Sequence, residues 1–201
     1  MKQRLLLSTR NAHKLREVRE ILSDFAEVVD LSVTPDMPGV EETGTTFMEN
    51  AALKALAGST HFEGWVLADD SGLEVDALDG APGVFSARFA GPDANDADNR
   101  RLLIEKLKDV PQEARGARFR CALVLAKNGK RLAECEGSVE GSILFEERGS
   151  SGFGYDPLFV PEGFSESFAE LSPEAKNRLS HRGRALQSLK EWFASNSERT
   201  A

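Results

Sequence analysis

The sequence predicts a mixed α/β fold. Short apolar runs alternate with amphipathic helical segments in the first third, a strong hairpin signal occupies the middle, and helices close the chain. The 201 residues are 40% hydrophobic and 29% charged. That supports a sizeable core, and a single domain over residues 1–201 is expected.

The elements follow in order. "RLLLS" (4–8) reads as a short buried strand. It leads through "TRN" into a helix with Leu15, Val18, Leu22 and Phe25 on one stripe and Arg16, Glu17, Arg19 and Glu20 between them. "AEVVDL" is a second strand. Pro35, Pro38, Gly39 and Gly44 make residues 34–44 a loop. Thr46 and Glu49 form a capping-box pattern that opens a helix through Gly58. "WVLAD" is a third strand, expected to end at the paired acids Asp69 and Asp70, with "GLEVDAL" extended beyond them. "GAPGVFSARFAG" is a punctuated loop, and a helix is expected over 96–108 with Leu103, Leu107 and Val110 on one stripe. In "RFRCALVLAKNGKRLAECEG", Phe119, Cys121, Leu123 and Leu125 alternate, and Asn128-Gly129 suits a type I′ turn. "GSSGFGYDPLF" is a glycine-rich loop before a short strand. Ser172-Pro173 opens a helix. The last helix carries Ala185, Leu186, Leu189, Trp192 and Phe193, and the tail "SNSERTA" is expected to fray.

Composition narrows the function classes. The formal net charge of -8 argues against a broad nucleic-acid surface. A local basic pocket for a small anion remains compatible with it. The two cysteines, Cys121 and Cys135, lack metal-ligand spacing and suit core filling. No secretory leader or membrane-length apolar run is apparent, so a cytoplasmic protein without membrane partners is expected.

Several nucleotide and hydrolase signatures are absent. There is no G-x-x-x-x-G-K-[ST] phosphate loop, no H-E-x-x-H helix and no G-x-S-x-G elbow. Four other stretches could carry chemistry. "LLLSTRNAHK" delivers small polar residues to a helix N-terminus, where backbone N–H groups favour anions. Simple capping by Asn11 with a solvated Lys14 explains that stretch equally and more commonly. "EETGTTFMENAALKA" places Glu41 and Glu42 before a helix on which Asn50 and Lys54 share a face; an acidic loop and a solvated face are the plainer reading. At "ADDSG", side chains alternate, so Asp69 and Asp70 point opposite ways and only one can enter a given cavity. An Mg²⁺ site and an Asp-stabilised turn are both compatible with that pattern. In "GFGYDPLF" and "EAKNRLSHRGRA", Phe153 and Tyr155 could stack on a flat ligand. Lys176, Arg178, His181, Arg182 and Arg184 form a basic cluster, or a solvated helix face. Taken together, anion-seeking cations, aromatics and paired acids suggest a nucleoside phosphate with Mg²⁺.

In this order, "STRNAHK", "EETGTTFMENAALKA", "ADDSGLEVDALDGAPGVFSARFAG", "GFGYDPLF" and "KNRLSHRGRAL" resemble the inosine triphosphate pyrophosphatase family, whose members are also called dITP/XTP pyrophosphatases. The matching stretches span nearly the whole chain, and five in register are specific. The departure is Arg10, where many members carry glycine; backbone contacts are expected there. The resemblance implies a long mixed twisted sheet whose flanking helices form two lobes around a central cleft, usually as a homodimer. It implies hydrolysis of ITP, dITP and XTP to the monophosphate and pyrophosphate, with Mg²⁺ as cofactor. By position it puts Thr9, Arg10, Asn11, Ala12, His13 and Lys14 on the triphosphate with Lys54 beside them, and Ser71 on the substrate. It makes Glu41 and Asp70 the Mg²⁺ ligands and Asp70 the proton acceptor. Phe153, Gly154, Tyr155, Asp156, Lys176, His181 and Arg182 match the base pocket. A donor such as the His181 backbone or the Arg182 side chain would recognise a 6-oxo purine. Asp69 is then a structural acid that shapes the turn. The alternative is a non-catalytic purine nucleotide sensor in which Asp70 and Glu41 are only structural.

Overall fold

The computed structural model describes residues 3–196. The strands are β1 (Gln3–Leu7), β2 (Ala26–Val29), β3 (Trp65–Val75), β4 (Gly116–Lys127), β5 (Lys130–Ile143) and β6 (Phe159–Pro161). The helices are α1 (Ala12–Ile21), α2 (Phe47–Ser59), α3 (Asp96–Lys106), α4 (Pro173–Leu179) and α5 (His181–Ser195). The strands form one sheet in the order β2-β1-β3-β4-β5-β6. β1 pairs in parallel with β2 and β3, and β5 pairs antiparallel with β6, so the sheet is mixed.

The chain divides into two compact units. The first comprises Met1–Asp70, Cys121–Gly137 and Arg182–Ala201. Its β1 and β3 are apolar on both faces. Leu5, Leu7, Trp65 and Leu67 meet Val18, Leu22, Leu123, Leu125, Leu186 and Leu189, while Leu6 and Val66 pack with Val29 on the other side. Strands covered on both faces read as unbroken apolar runs, as these do. The stripe of α1 ends earlier than its periodicity implies. The helix stops at Ile21, and Phe25 reaches the same core from the turn, its ring 4.8 Å from that of Phe193. In the β4–β5 hairpin, Asn128 (φ 52) and Gly129 (φ 72) adopt the left-handed conformation that a type I′ turn needs.

The second unit comprises Ser71–Arg120 and Ser138–His181. Its core joins Leu73, Val75, Leu103, Leu107, Phe119, Ile143, Tyr155, Leu158, Phe159 and Phe168. Two expectations change here. The strand expected to end at Asp69 and Asp70 continues to Val75, because Leu73 and Val75 beyond the acids are fully buried. Residues Asp76–Leu78 form a short 3₁₀ turn rather than continuing extended. The expected fraying of the tail falls, from residue 197 on, outside the described residues.

Arg115 is fully buried in this unit and, among the described residues, has no carboxylate against it. Its guanidinium donates to the carbonyls of Leu107 (2.7 Å), Val110 (3.3 Å), Ile143 (2.9 Å) and Leu144 (2.9 Å). One side chain thereby satisfies the end of α3 and the end of β5. Truncation leaves several buried carbonyls unpaired at about 1–3 kcal/mol each. Arg115→Ala is therefore expected to lose about 3 kcal/mol or more of stability in urea unfolding; a loss under about 1 kcal/mol would contradict this account.

Candidate active site

In the first unit, β1 passes through Ser8 into α1. Ser8 N–H donates to Leu67 O (2.8 Å) and its hydroxyl to Lys54 O (3.2 Å), which ties β1, β3 and α2 together. Asn11 caps α1: its Oδ1 accepts from the N–H of His13 (2.9 Å) and Lys14 (3.1 Å). Thr9, Arg10, Ala12 and His13 line this turn, and the last three are exposed. The side chain of Arg10 lies over Gly39 in the loop before α2. Lys14 is not solvated. Its Nζ lies 2.6 Å from Asp69 Oδ1, where it offsets the cost of a cation in a first helical turn.

Asp69 is fully buried and has a second cation. Arg182 Nε lies 2.7 Å from its Oδ2, and the other arm of the guanidinium reaches Glu17 on α1. Burial alone would raise the Asp69 pKa. The guanidinium of Arg182 and then the ammonium of Lys14 outweigh burial and hold it well below the usual carboxylate range. The Cys121 thiol, 3.4 Å away, is pushed well above its usual pKa by burial first and the Asp69 charge second. Asp69 therefore shapes no turn; it is an ionised acid inside a continuous strand. The Arg182 side chain, expected to face a purine oxo group, is instead buried between two carboxylates.

Asp70 points to the other face. Lys54 Nζ is surrounded by oxygen: Asp70 Oδ1 at 2.7 Å, Glu42 Oε1 at 2.9 Å and the Asp69 carbonyl at 2.9 Å. Asp70 and Glu42 keep Lys54 cationic, raising its pKa against the opposing effect of burial. The Asp70 carboxyl is shifted upward: burial dominates, Lys54 and Lys14 pull it back, and Glu42 adds to the rise. Asn50, fully buried on α2, accepts from Gly44 N–H (2.8 Å) and lies 3.5 Å from Asp70 Oδ2. A Cβ on Gly44 would sit 2.7 Å from Asn50 Oδ1, so the loop can approach α2 only through glycine. The expected pairing of Asp70 with Glu41 is not what the structure brings together. Glu41 is exposed and, among the described residues, makes no hydrogen bond or ion pair; Glu42 is the loop acid that reaches Lys54. Among the described residues no group of three or more His, Cys, Asp or Glu is arranged to hold a metal ion.

In the second unit, Ser71 follows Asp70, half-buried in β3. Phe153, Gly154, Tyr155 and Asp156 form a tight loop in which Asp156 Oδ2 accepts from Phe153 N–H (2.8 Å) and Lys176 Nζ (2.6 Å). A Cβ on Gly152 would fall 2.1 Å from that same oxygen. Lys176 also sits 4.9 Å from the Phe153 ring centroid, so the ring packs beneath a buried cation. Tyr155 is buried and its hydroxyl donates to Ser86 O (2.9 Å); burial, and secondarily the charge of Asp96, pushes its pKa up. His181 stacks on Phe119 at 4.8 Å. Lys176 and His181 are thus buried and Arg178 and Arg184 exposed, so the basic cluster is no single solvated face. Sequence reasoning missed Glu17 as the second acid on Arg182. It stood among helix residues read as a polar face, and only the pairing with a residue 165 positions away distinguishes it.

The first unit thus carries a strand-to-helix turn bearing Lys14 and a buried acid beside Lys54, the second an aromatic loop braced by a lysine, in an α/β fold. Residues 5–192 match the Ham1 family, and the chain belongs to it. A protein of Oceanobacillus iheyensis named dITP/XTP pyrophosphatase is 45% identical over 95% of this chain and 98% of its own. One of Exiguobacterium sibiricum with the same name is 49% identical over 92% and 94%. The solved structure of a HAM1 protein from Coxiella burnetii aligns with a TM-score of 0.86 at 40% identity, covering 96% of this chain and 99% of that one.

The network around Asp69 yields a prediction. Asp69→Asn leaves Lys14 and Arg182 facing a neutral amide, and removing one partner of a buried pair costs about 3–5 kcal/mol. A loss of that size is expected in urea unfolding at pH 7. Because the folded pKa is depressed, Asp69 stabilises the fold above its unfolded value of about 3.9, and this is lost as pH falls through the folded value. The Asn variant should therefore unfold less steeply with acid than the wild type; equal steepness would contradict the reading.

Proposed function

We propose that the chain is a pyrophosphohydrolase of purine nucleoside triphosphates carrying hypoxanthine or xanthine. ITP, dITP and XTP are cleaved to the monophosphate and pyrophosphate. The observation that carries the reading is the buried Asp70 carboxylate held against Lys54 with its pKa raised. The names of relatives 45–49% identical over nearly the whole chain support the substrate class.

The donors around Lys54 are hard oxygens that already enclose a cation, and this chemistry fits Mg²⁺, which keeps several waters and takes few carboxylates. Asp70 is the proposed protein ligand, with Glu41 or Glu42 from the loop before α2 as its partner. When bound, Mg²⁺ supplies charge neutralisation of the phosphates and a more acidic water. The α1 N-terminus, with Lys54 beside it, holds the triphosphate and offsets its charge. Asp70 takes the proton of the water whose oxygen attacks the α-phosphorus. The bond from that phosphorus to the bridging oxygen breaks, and pyrophosphate leaves. The raised pKa suits Asp70 to this task, since a base nearer neutrality accepts a proton more readily.

Phe153 offers the purine a stacking face. With the Arg182 guanidinium committed to Asp69 and Glu17, recognition of the 6-oxo group falls to backbone donors at the start of α5, His181 foremost. A 6-amino purine would set donor against donor, leaving both unpaired at about 1–3 kcal/mol each. A cytoplasmic homodimer completes the proposal; the two buried free thiols suit a reducing compartment. Light scattering on a gel-filtration eluate measures the dimer.

Product analysis with ITP, XTP, ATP and GTP tests the activity. Pyrophosphate released from ITP and XTP well ahead of ATP is expected. Equal turnover of ITP and ATP, or release of orthophosphate, would overturn the reading, and tight ITP binding without turnover would favour a sensor. Asp70→Asn is expected to lower kcat at least about 100-fold with the fold retained.

A further inference from the structure

The helix α3 holds one residue of the aromatic loop, Gly154, by the peptide groups on both its sides. Asp96, in its first turn, accepts from the Gly154 N–H with Oδ2 at 2.7 Å. Arg100, four residues on and therefore on the same face, donates from Nη1 to the Gly154 carbonyl at 2.9 Å. Arg100 is itself braced, its Nε 2.9 Å from Glu147 Oε1 in an ion pair whose N–H is not aimed at the carboxylate. Neither residue is needed to complete the core: Asp96 is exposed and Arg100 partly so. A third α3 residue, Asn99, is buried and holds the preceding loop, accepting from Ala90 N–H (2.8 Å) and donating to Ala87 O (3.2 Å).

Gly154 joins Phe153 to Tyr155. Its φ is +60, in the region that favours glycine, and an added Cβ would meet nothing within 4 Å. On one side Tyr155 is anchored by its buried ring and its bond to Ser86; on the other Phe153 is half-buried beneath Lys176. The Phe153–Gly154 peptide, held by Asp96, is therefore one of the constraints on where the Phe153 ring stands, beside the Phe153 N–H bond to Asp156 and the Lys176 cation over the ring.

We infer that Asp96 and Arg100 are positioning residues for purine recognition, acting through the Gly154 backbone on the Phe153 ring. The inference rests on the proposed reading in one respect: the purine must be what Phe153 meets. The clamp acts on the base and leaves the phosphates untouched, so its loss appears in KM and in discrimination between bases, with kcat largely kept. GTP shares the 6-oxo group with ITP and differs at its 2-amino group, so the ITP:GTP ratio of kcat/KM reads how tightly the base is held.

The test uses the full chain and three variants. Asp96→Ala removes the acceptor, Asp96→Asn keeps an oxygen acceptor without the charge, and Arg100→Met removes the second arm while keeping the stem. Asp96→Ala is expected to speed exchange of the Gly154 amide, raise the KM for ITP about tenfold, hold kcat within about twofold and lower the ITP:GTP ratio. Asp96→Asn should restore most of the ratio, and Arg100→Met should repeat the Ala pattern more weakly. An unchanged Gly154 exchange rate overturns the clamp. A ratio unaltered in both Asp96→Ala and Arg100→Met, or a loss confined to Tm and not rescued by Asn, overturns its role in recognition. Should the wild type fail to hydrolyse ITP, the proposed activity falls on its own, while Gly154 exchange and ITP-induced shifts of the Phe153 signal still decide the clamp.

Discussion

A carboxylate with no exposed surface lies inside a strand, and the first unit is arranged around neutralising it. Asp69 brings a charge where solvation by water is impossible, at an intrinsic cost of several kcal/mol. Two cations answer it, Lys14 from α1 and Arg182 from α5, and the surplus positive charge meets Glu17 on α1. Two acids and two cations leave the cluster neutral. Each member is correct only if the others are present, so the network fixes the register of β3 against two helices. It also explains why Cys121 stays a neutral thiol, since a thiolate there would be a third uncompensated anion.

That constraint separates two neighbouring acids into opposite roles. Alternation along the strand sends Asp69 into the cation pair and Asp70 toward Lys54. Asp69 is thereby held ionised, whereas Asp70 has one lysine, a second acid nearby and most of its surface buried, and is shifted upward. Pairs of titratable groups whose surroundings push them apart are how a site obtains one carboxyl held ionised beside one that takes a proton more readily. The strand that runs without a break through both acids carries the distinction, because a turn at that point would free Asp69 from its fixed orientation.

Much of the fold was legible because its signals are local. The capping box at Thr46 and Glu49, the Asn128-Gly129 turn and the apolar run of β1 each lie within a few residues. The five motifs brought the site residues into view for the same reason. What stayed hidden depends on partners far along the chain. Asp69 meets Arg182 across 113 residues, and Arg115 reaches Leu144 across 29, so nothing local marks either as buried. Which of Glu41 and Glu42 meets Lys54 was equally closed, since adjacent residues in an irregular loop have no period to tell which faces inward; in the structure it is Glu42. Arg182 was assigned to the purine by its place in a basic motif, and its second neighbour Glu17 had looked like an ordinary polar position on a helix.

Asp69 and Asp70, adjacent in one strand, are set to titrate in opposite senses by what each faces. Carbon-detected NMR of the aspartate side-chain carboxyls, followed against pH in the wild-type protein without added metal, measures this. The Asp70 resonance is expected to titrate above the ordinary Asp value of about 3.9 while the Asp69 resonance stays that of a carboxylate until well below it. Two carboxyls titrating together near that value would contradict it.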